Sequence, residues 1–269
     1  MYETDYLIKH YTPVDGETRS EDDRLASRHG SVEFLTTMRY IEKYLFPGAR
    51  ILEIGAGTGR YSHALAHKGY AVDAVELVPY NIKIFQSKTT PDEVITVIQG
   101  DARDLSSFTD DRYDIALLLG PLYHMFTTED KRQTINEALR VTKQGGVVFA
   151  AYCMSDASIM EGGFKNNRFD MVDLINKGFI NADTFETHSA PELVFEIVRK
   201  EQIDAVMEAL AVERLYFVAT DLYTLHMRDS IADMDEETFA RYLRYHFAIC
   251  ERPDMIGLTH HSLDIFRKR

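Results

Sequence analysis

Short apolar runs alternate with amphipathic stretches from residue 48 to residue 152, the most regular part of the chain. The apolar runs lie at residues 50–54, 70–77, 93–99, 113–120 and 146–152. Apolar residues recur with helical spacing between them, at about 60–68, 79–88 and 129–142. This alternation predicts βαβ units and a parallel sheet. Three of the runs are almost continuously apolar, which is typical of central strands covered by helices on both faces.

The flanks of this pattern carry further predicted elements. A helix over 31–45 precedes the first strand and ends at Pro47 and Gly48. Residues 154–191 are loop-rich and too long for an ordinary connection, so we expect a lid or binding element there. After it we expect a helix at about 200–211, a strand at 213–220, a helix at 235–250 that begins at the N-cap Asp235, and a strand at 262–268. The inward residues of the helix at 235–250 are expected to be Phe239, Tyr242, Leu243, Phe247 and Ile249.

Charge and cysteine content narrow the class of protein. The 269 residues carry 30 basic and 43 acidic side chains, a net charge of −13, which disfavours binding to nucleic acid. The two cysteines, Cys153 and Cys250, are expected to be free thiols in a reducing cytoplasm. No apolar stretch reaches 18 residues and the first residues are polar, so we expect neither a membrane span nor a secretion signal.

A glycine-rich loop follows the first predicted strand, in the sequence ILEIGAGTGR at 51–60. Glycine allows a tight turn and a close approach of the backbone to a ligand. The spacing Gly-x-Gly-x-Gly differs from the Gly-x-Gly-x-x-Gly of dinucleotide-binding folds, because Arg60 stands where the third glycine would be. Glu53 near the strand end suits a cationic group of a ligand better than a pyrophosphate. A plain strand-to-helix turn is the alternative interpretation.

Acidic residues also follow the next two strands. Glu76 ends the second strand, where a carboxylate can accept hydrogen bonds from both hydroxyls of a ribose. Asp101, in GDARDL, could accept from an exocyclic amine while the Ala102 N–H reaches a ring nitrogen. Ordinary turn chemistry is the alternative for Asp101. The carboxyl ends of parallel strands form the ligand-binding edge of such sheets, so these groups are expected to lie close together.

The order of LEIGAGTGR, AVEL, GDARDL, DIALLLGPLYHM and RVTKQGGVVFAAY resembles the class I S-adenosylmethionine-dependent methyltransferases. GPLYH and the later CERPDMIGLTHHSLDIFRK resemble a subgroup of bacterial small-molecule methyltransferases, and GPLYH differs from the Asn-Pro-Pro-Tyr motif of amino methyltransferases. The resemblance implies a Rossmann-like α/β fold. Its sheet would have seven mostly parallel strands with the last antiparallel, helices on both faces and an inserted cover.

The resemblance also implies where S-adenosyl-L-methionine binds. Glu53 and the glycine-loop backbone would meet its methionine end, Glu76 its ribose, and Leu77, Asp101 and Ala102 its adenine. The predicted cofactor-binding residues are Glu53, Gly55, Ala56, Gly57, Gly59, Arg60, Tyr61, Glu76, Leu77, Asp101, Ala102, Leu119 and Gly120. The chain divides accordingly into an amino-terminal helical lead-in and cover (1–47), a cofactor-binding core (48–152), an insertion that covers the substrate (153–212) and the carboxyl-terminal part of the sheet (213–269).

Candidate residues for the methyl acceptor follow the fourth strand. Tyr123 and His124 leave the sheet at its ligand-binding edge, and His124 is the candidate base, with loop packing as the alternative. Further substrate contacts are expected from Tyr223, His226, Arg228 and His261, and an apolar pocket wall from Phe34, Tyr40, Phe164 and Phe179. His63 and His67 share a helix face, but Ala64 replaces the glutamate of zinc hydrolases, so no metal site is expected.

These observations predict a cytoplasmic enzyme that transfers a methyl group from S-adenosyl-L-methionine to a small-molecule acceptor and releases S-adenosyl-L-homocysteine. Its expected partners are the acceptor alone, with no nucleic acid and no membrane, and its expected state is a monomer or a homodimer. A methyltransferase acting on RNA or protein, a non-catalytic cofactor-binding module and a nicotinamide oxidoreductase are the alternatives.

Overall fold

The computed structural model describes residues 3–13 and 25–269. A single mixed sheet organises these residues. Its strands are β1 (Arg50–Ile54), β2 (Ala71–Glu76), β3 (Ile95–Gln99), β4 (Tyr113–Leu118), β5 (Thr142–Met154), β6 (Ile197–Val198), β7 (Val212–Ala219) and β8 (His261–Lys268). The α-helices that lie wholly within the described residues are α1 (Glu3–Tyr11), α2 (Arg28–Glu42), α3 (Arg60–Ala66), α4 (Pro79–Lys88), α5 (Thr128–Val141), α6 (Ser155–Ser158), α7 (Met171–Asn176), α8 (Lys200–Met207), α9 (Arg228–Ala232) and α10 (Glu236–Ile249).

The strand order is β3-β2-β1-β4-β5-β8-β7. The strands from β3 to β5 pair in parallel, whereas β8 is antiparallel to both of its neighbours, β5 and β7. The predicted Rossmann-like sheet with an antiparallel last strand is confirmed. The two-residue strand β6, which pairs with the end of β5, was not predicted. The order reverses between β1 and β4, and a crevice for a ligand forms at such a point, outside the carboxyl ends of the strands.

Two apolar layers cover the two faces of the sheet. Along β1, Ile51 packs in one buried cluster with residues of α2 and α3, and Leu52 packs in the other with residues of α5. Successive side chains of a strand point to opposite faces, so a continuously apolar strand must be covered on both sides. The three-layer arrangement fixes β1 rigidly and leaves its carboxyl end at the crevice.

The last helix differs from its predicted packing. Asp235 caps α10 as predicted, since its side chain accepts a hydrogen bond of 2.7 Å from the Thr238 N–H. The predicted inward aromatics Phe239 and Phe247 are only half-buried, and the fully buried side chain of this helix is His246. Apolar spacing could not indicate this histidine, because its burial depends on Thr36 of α2, which hydrogen-bonds to its Nε2 at 2.9 Å.

The predicted insertion after β5 consists of several short helices and turns between residues 155 and 198. A π-helix covers Ile159–Lys165, and 3₁₀ turns occur at Pro191–Leu193 and elsewhere. Both cysteines are buried free thiols, as predicted. Within residues 3–13 and 25–269, no helix has the length and apolar content needed to span a membrane.

Candidate active site

The glycine loop connects β1 to α3 and is shaped by two close contacts. Gly55 has φ +73°, and a side-chain Cβ there would lie 2.6 Å from Cγ of Pro121. Gly59 has φ +87°, and a Cβ there would lie 2.8 Å from the ring of Phe85. Gly57 has φ +55° with no atom within 4 Å of such a Cβ, so this glycine leaves the loop open toward the adjoining cavity.

Hydrogen bonds inside the protein use the N–H groups of this loop. The N–H groups of Gly55 and Ala56 donate to Val75 O at 2.8 and 3.0 Å, and that of Gly57 donates to Glu76 Oε2 at 2.8 Å. A phosphate-binding loop needs N–H groups that point at the ligand. These three N–H groups are already bonded and do not point at a phosphate, in line with the expectation that Glu53 suits a cationic group better than a pyrophosphate.

Glu76 ends β2 with its carboxylate fixed in place. Besides Gly57, the Val78 N–H and the Asn81 side-chain amide donate to it, at 2.9 and 3.1 Å. Its side chain is 5% exposed, and burial raises its pKa although these donors oppose the shift. The carboxylate lines the cavity beside Gly57, where the sequence predicts a ribose-binding acid.

Glu53 is buried in β1, and Ser62 of α3 donates to its Oε2 through both the backbone N–H, at 2.9 Å, and the hydroxyl. Burial raises the pKa of Glu53 to about 7. A carboxyl group with this pKa lies close to its ionisation point at neutral pH. A cationic ligand group in the cavity would therefore favour its charged form.

Asp101 is held by a neighbour that sequence analysis did not consider. Arg103 donates to both carboxylate oxygens, with Nη2 2.7 Å from Oδ2 and the backbone N–H 2.9 Å from Oδ1. Burial alone would raise the pKa of Asp101, but Arg103 brings it below its usual range. Asp101 is thus ionised and oriented, and an adenine amine would share its oxygens with Arg103.

A cavity of about 460 Å³ joins these groups at the carboxyl ends of β1, β2 and β4, which is an ordinary size for a small-molecule site. Twelve of the thirteen predicted cofactor residues line it, and Gly59 does not. The lining residues that sequence analysis missed include Tyr11, Glu33, Asn81, Arg103, Phe126 and Val194. Of these residues, Asn81 was the one that the sequence could indicate, because it lies in the first turn of the helix that follows Glu76.

Tyr123 and His124 also line the cavity, in a 3₁₀ turn after β4 (Pro121–His124). Nδ1 of His124 lies 2.8 Å from Val194 O, and Nε2 lies 3.1 Å from the Tyr11 hydroxyl. Since a carbonyl oxygen only accepts, Nδ1 carries the proton and Nε2 accepts from Tyr11. Burial lowers the pKa of His124 to about 4, so the ring is neutral and a weak base. The Tyr123 hydroxyl donates to Leu119 O at 3.2 Å.

Val194 holds this arrangement with a strained backbone. Its φ is +65°, a conformation that β-branched residues rarely adopt and that costs about 1–3 kcal/mol. Strain of this kind persists where the surroundings fix the residue, and it clusters at functional sites. The Val194 carbonyl is the acceptor that sets the tautomer of His124.

The predicted substrate residues Tyr223, His226, Arg228 and His261 do not line this cavity. Arg228 Nη2 lies 3.0 Å from Glu161 Oε1, and His226 Nδ1 lies 2.5 Å from Glu161 Oε2. Arg228 is therefore ion-paired with Glu161 of the π-helix. The prediction that Arg228 binds an anionic group of the substrate is corrected. Glu161 could not be foreseen, because the insertion carries no periodic pattern that would locate it.

The four predicted pocket aromatics also lie elsewhere. Tyr40 is 1% exposed in the core, with its ring 5.4 Å from that of Tyr216. Phe34 packs under the guanidinium of Arg60 at 4.5 Å, and Phe164 is 58% exposed. Phe179 is half-buried outside the cavity lining. An apolar residue count cannot separate core aromatics from pocket aromatics, so this prediction was wrong.

Comparison with known proteins agrees with this geometry. The family described as "Methyltransferase domain" matches residues 52–150, from β1 to β5. A glycine/sarcosine N-methyltransferase of Aphanothece halophytica is 30% identical over 119 residues, which are 44% of each chain. A demethylmenaquinone methyltransferase of Clavibacter sepedonicus is 30% identical over 118 residues, 44% of this chain and 46% of that one. The matched segment thus spans less than half the length of these relatives.

Solved structures extend the likeness of fold beyond that segment. A SAM-dependent methyltransferase of Methanosarcina mazei superposes with a TM-score of 0.57 at 17% identity, over 85% of this chain and 96% of that one. A possible histamine N-methyltransferase of Thermotoga maritima superposes with a TM-score of 0.56 at 15% identity, over the full length of both. Residues 52–150 therefore match a methyltransferase domain, and the solved structures show that the fold around this segment is shared.

Proposed function

We propose that this protein transfers the methyl group of S-adenosyl-L-methionine to a small-molecule acceptor. The main support is a single cavity that is lined both by the predicted cofactor-binding residues and by residues from other parts of the chain. The cofactor set, with Glu53, Glu76 and Asp101, lies at the strand ends, and the second set comes from α1 and the insertion. The relatives named for glycine or sarcosine and for demethylmenaquinone support a small acceptor.

The cofactor fits the groups that the cavity offers. Glu76 is a fixed acceptor for ribose hydroxyls, and Glu53, with a pKa near 7, suits an ammonium group. The loop N–H groups are bonded within the protein, which argues against a pyrophosphate and therefore against a nicotinamide dinucleotide. When bound, S-adenosyl-L-methionine supplies an electrophilic methyl group on a sulfonium.

Tyr11, Tyr123 and His124 form the part of the cavity assigned to the acceptor. A neutral His124 accepts from Tyr11, so the Tyr11 oxygen keeps lone pairs that can accept a hydrogen bond from an acceptor O–H or N–H. Positioning an acceptor at about 3–3.5 Å from the reacting carbon accounts for much of the catalysis of such a displacement. The low pKa of His124 makes it a positioning group for Tyr11 rather than a strong base.

The test is calorimetric titration with S-adenosyl-L-methionine and S-adenosyl-L-homocysteine. We expect both to bind wild type, and Glu76→Ala to weaken both at least about tenfold, because a buried pair of hydrogen bonds is lost. Glu42→Ala, an exposed acid outside the cavity, is the control. No binding of either ligand by wild type would overturn the cofactor assignment.

A second step identifies the class of acceptor. Protein loaded with the labelled methyl donor is incubated separately with a metabolite extract, with RNA and with protein. Label transferred to the metabolite fraction alone supports the proposal. Transfer only to RNA or protein would replace it with a macromolecular methyltransferase, and binding without any transfer would favour a non-catalytic module.

A further inference from the structure

Three side chains from separate parts of the chain converge where β8 begins. Glu33 lies on α2, Asp221 follows β7, and His261 is the first residue of β8. One carboxylate oxygen of each acid and one ring nitrogen of His261 lie within 4.8 Å of one another. Nδ1 of His261 is 2.7 Å from Asp221 Oδ2 and 3.4 Å from Glu33 Oε2. These atoms are all metal-ligand types, and no metal site was expected from the sequence.

The protein orients Asp221 and His261 from behind. Oδ1 of Asp221 accepts from the N–H groups of His260 and His261, at 2.9 and 3.2 Å, which leaves Oδ2 to face the cluster. Cys153 lies directly opposite His261 in the β5–β8 ladder, and its side chain hydrogen-bonds to the ring. Cys153 thus helps to orient the imidazole, a role that outer partners of metal-ligating histidines commonly have.

Charge and solvation around the cluster favour a cation. In the part of the chain that the structure describes, no lysine or arginine forms an ion pair with Asp221. Two buried imidazoles that interact electrostatically with Asp221 lie nearby. His246 is 1% exposed with no partner for Nδ1 among the described residues, and His260 is 5% exposed with none for either nitrogen. Unpartnered buried polar atoms are costly and mark places where an ion or water belongs.

We propose that Glu33, Asp221 and His261 bind a divalent first-row transition-metal ion. Two carboxylate oxygens with one imidazole nitrogen are suitable for Mn²⁺, Fe²⁺, Co²⁺ or Zn²⁺. Glu33 also lines the cofactor cavity, so the ion lies at its wall. If the proposed methyl transfer is correct, Glu33 connects this ion to the cavity in which the transfer takes place. Metal binding itself does not depend on that function.

Co²⁺ is the probe, because its visible absorption reports ligation. Chelator-treated full-length protein is titrated with Co²⁺, and Zn²⁺ is then added as a competitor. We expect one ion per chain, and Glu33→Gln and His261→Gln each lower the affinity at least about tenfold. His67→Gln is the control, because His63 and His67 both face Glu93 at a different surface, at 2.9 and 3.2 Å.

Each outcome decides the proposal. Binding lost in both variants and kept in the control supports it. Absence of Co²⁺ and Zn²⁺ binding, or binding that Glu33→Gln leaves unchanged and His67→Gln abolishes, overturns it and leaves a His261–Asp221 ion pair. A cooperative urea-unfolding transition shows that each variant is folded, and each is also titrated with S-adenosyl-L-homocysteine. A protein that binds metal but not this ligand would separate failure of the proposed function from failure of the metal site.

Discussion

At the scale of single residues, Glu53 couples protonation to stability. Its pKa is raised by burial from an ordinary 4.5 to about 7, so the folded state keeps a proton that the unfolded chain releases. The free energy of unfolding therefore falls as pH rises from about 4.5 to about 7, by about 3 kcal/mol in all.

Glu53→Gln tests this coupling. The amide stays neutral and can still accept from Ser62, so the variant should not lose this part of its stability over the same pH window. Urea unfolding of both proteins at pH 5 and pH 8, without cofactor, measures the difference. A wild type whose pH dependence matches that of the variant would contradict the raised pKa.

Gly55 gives a second prediction at this scale, with Gly48 as a matched control. Both glycines have positive φ, +73° and +82°, so an alanine at either costs about 1–2 kcal/mol of backbone strain. Only at Gly55 does the new Cβ meet Pro121, which adds about 1–3 kcal/mol of overpacking. Gly55→Ala should therefore lower the urea midpoint more than Gly48→Ala does. Equal urea midpoints would show that the loop moves away from Pro121 without cost, which would contradict the overpacking.

The acids at the strand ends were predictable, and the residues that face them were not. Glu53, Glu76 and Asp101 lie at or just beyond the carboxyl ends of parallel strands, and these ends meet at one edge of the sheet by geometry alone. Tyr11 and Val194 reach the same cavity through tertiary packing of segments without a periodic pattern. Their positions depend on contacts with His124 that span 70 and 113 residues, which local spacing does not encode.

At the scale of elements, α1 closes one side of the cavity, the side that we propose for the acceptor. The hydroxyl of Tyr11 contacts His124, and the ring of His10 packs against Phe195 at 5.3 Å. The prediction for this region was a helical lead-in and cover (1–47) with its helix at 31–45. It did not include α1 itself, because a helix of nine residues gives a weak periodic signal.

Tyr11→Phe tests the role of α1. It should reduce incorporation of labelled methyl into a metabolite extract about tenfold, the effect of one well-placed hydrogen bond, and leave cofactor affinity unchanged. Tyr6→Phe lies on the same helix outside the cavity lining and should be silent. Equal initial rates for Tyr11→Phe and wild type would remove Tyr11 from the site.

The strands and the helices with a periodic pattern were predicted closely, whereas the shorter helices were not predicted. A continuously apolar run that is covered on both faces is compatible with a central strand of the sheet. All seven predicted strands appear within a few residues of their predicted bounds, apart from a longer β5. Helices at the surface depend on partners instead. The burial of His246 through Thr36 and the short elements of 155–193 follow from such partners, so single-segment periodicity could not give them.

At the scale of the whole molecule, ligand binding should raise stability selectively. S-adenosyl-L-homocysteine at 100 times its Kd adds about 2.7 kcal/mol to the free energy of unfolding. A domain of this size then melts roughly 5–10 °C higher. Nicotinamide dinucleotides should give no shift, because the loop N–H groups are bonded to Val75 and Glu76. A shift with a dinucleotide and none with S-adenosyl-L-homocysteine would reverse the assignment.

The antiparallel β5–β8 ladder has a consequence for synthesis on the ribosome. It joins residues 147–153 to residues 261–267, so β5 is made more than a hundred residues before the strand that completes its edge. During that interval the nascent chain exposes one side of a buried apolar strand, the kind of edge that recruits other chains. β6, which pairs with Cys153 and Met154, is synthesised earlier and shields only the end of that edge. Slow translation beyond residue 198 should thus increase aggregation and dependence on chaperones.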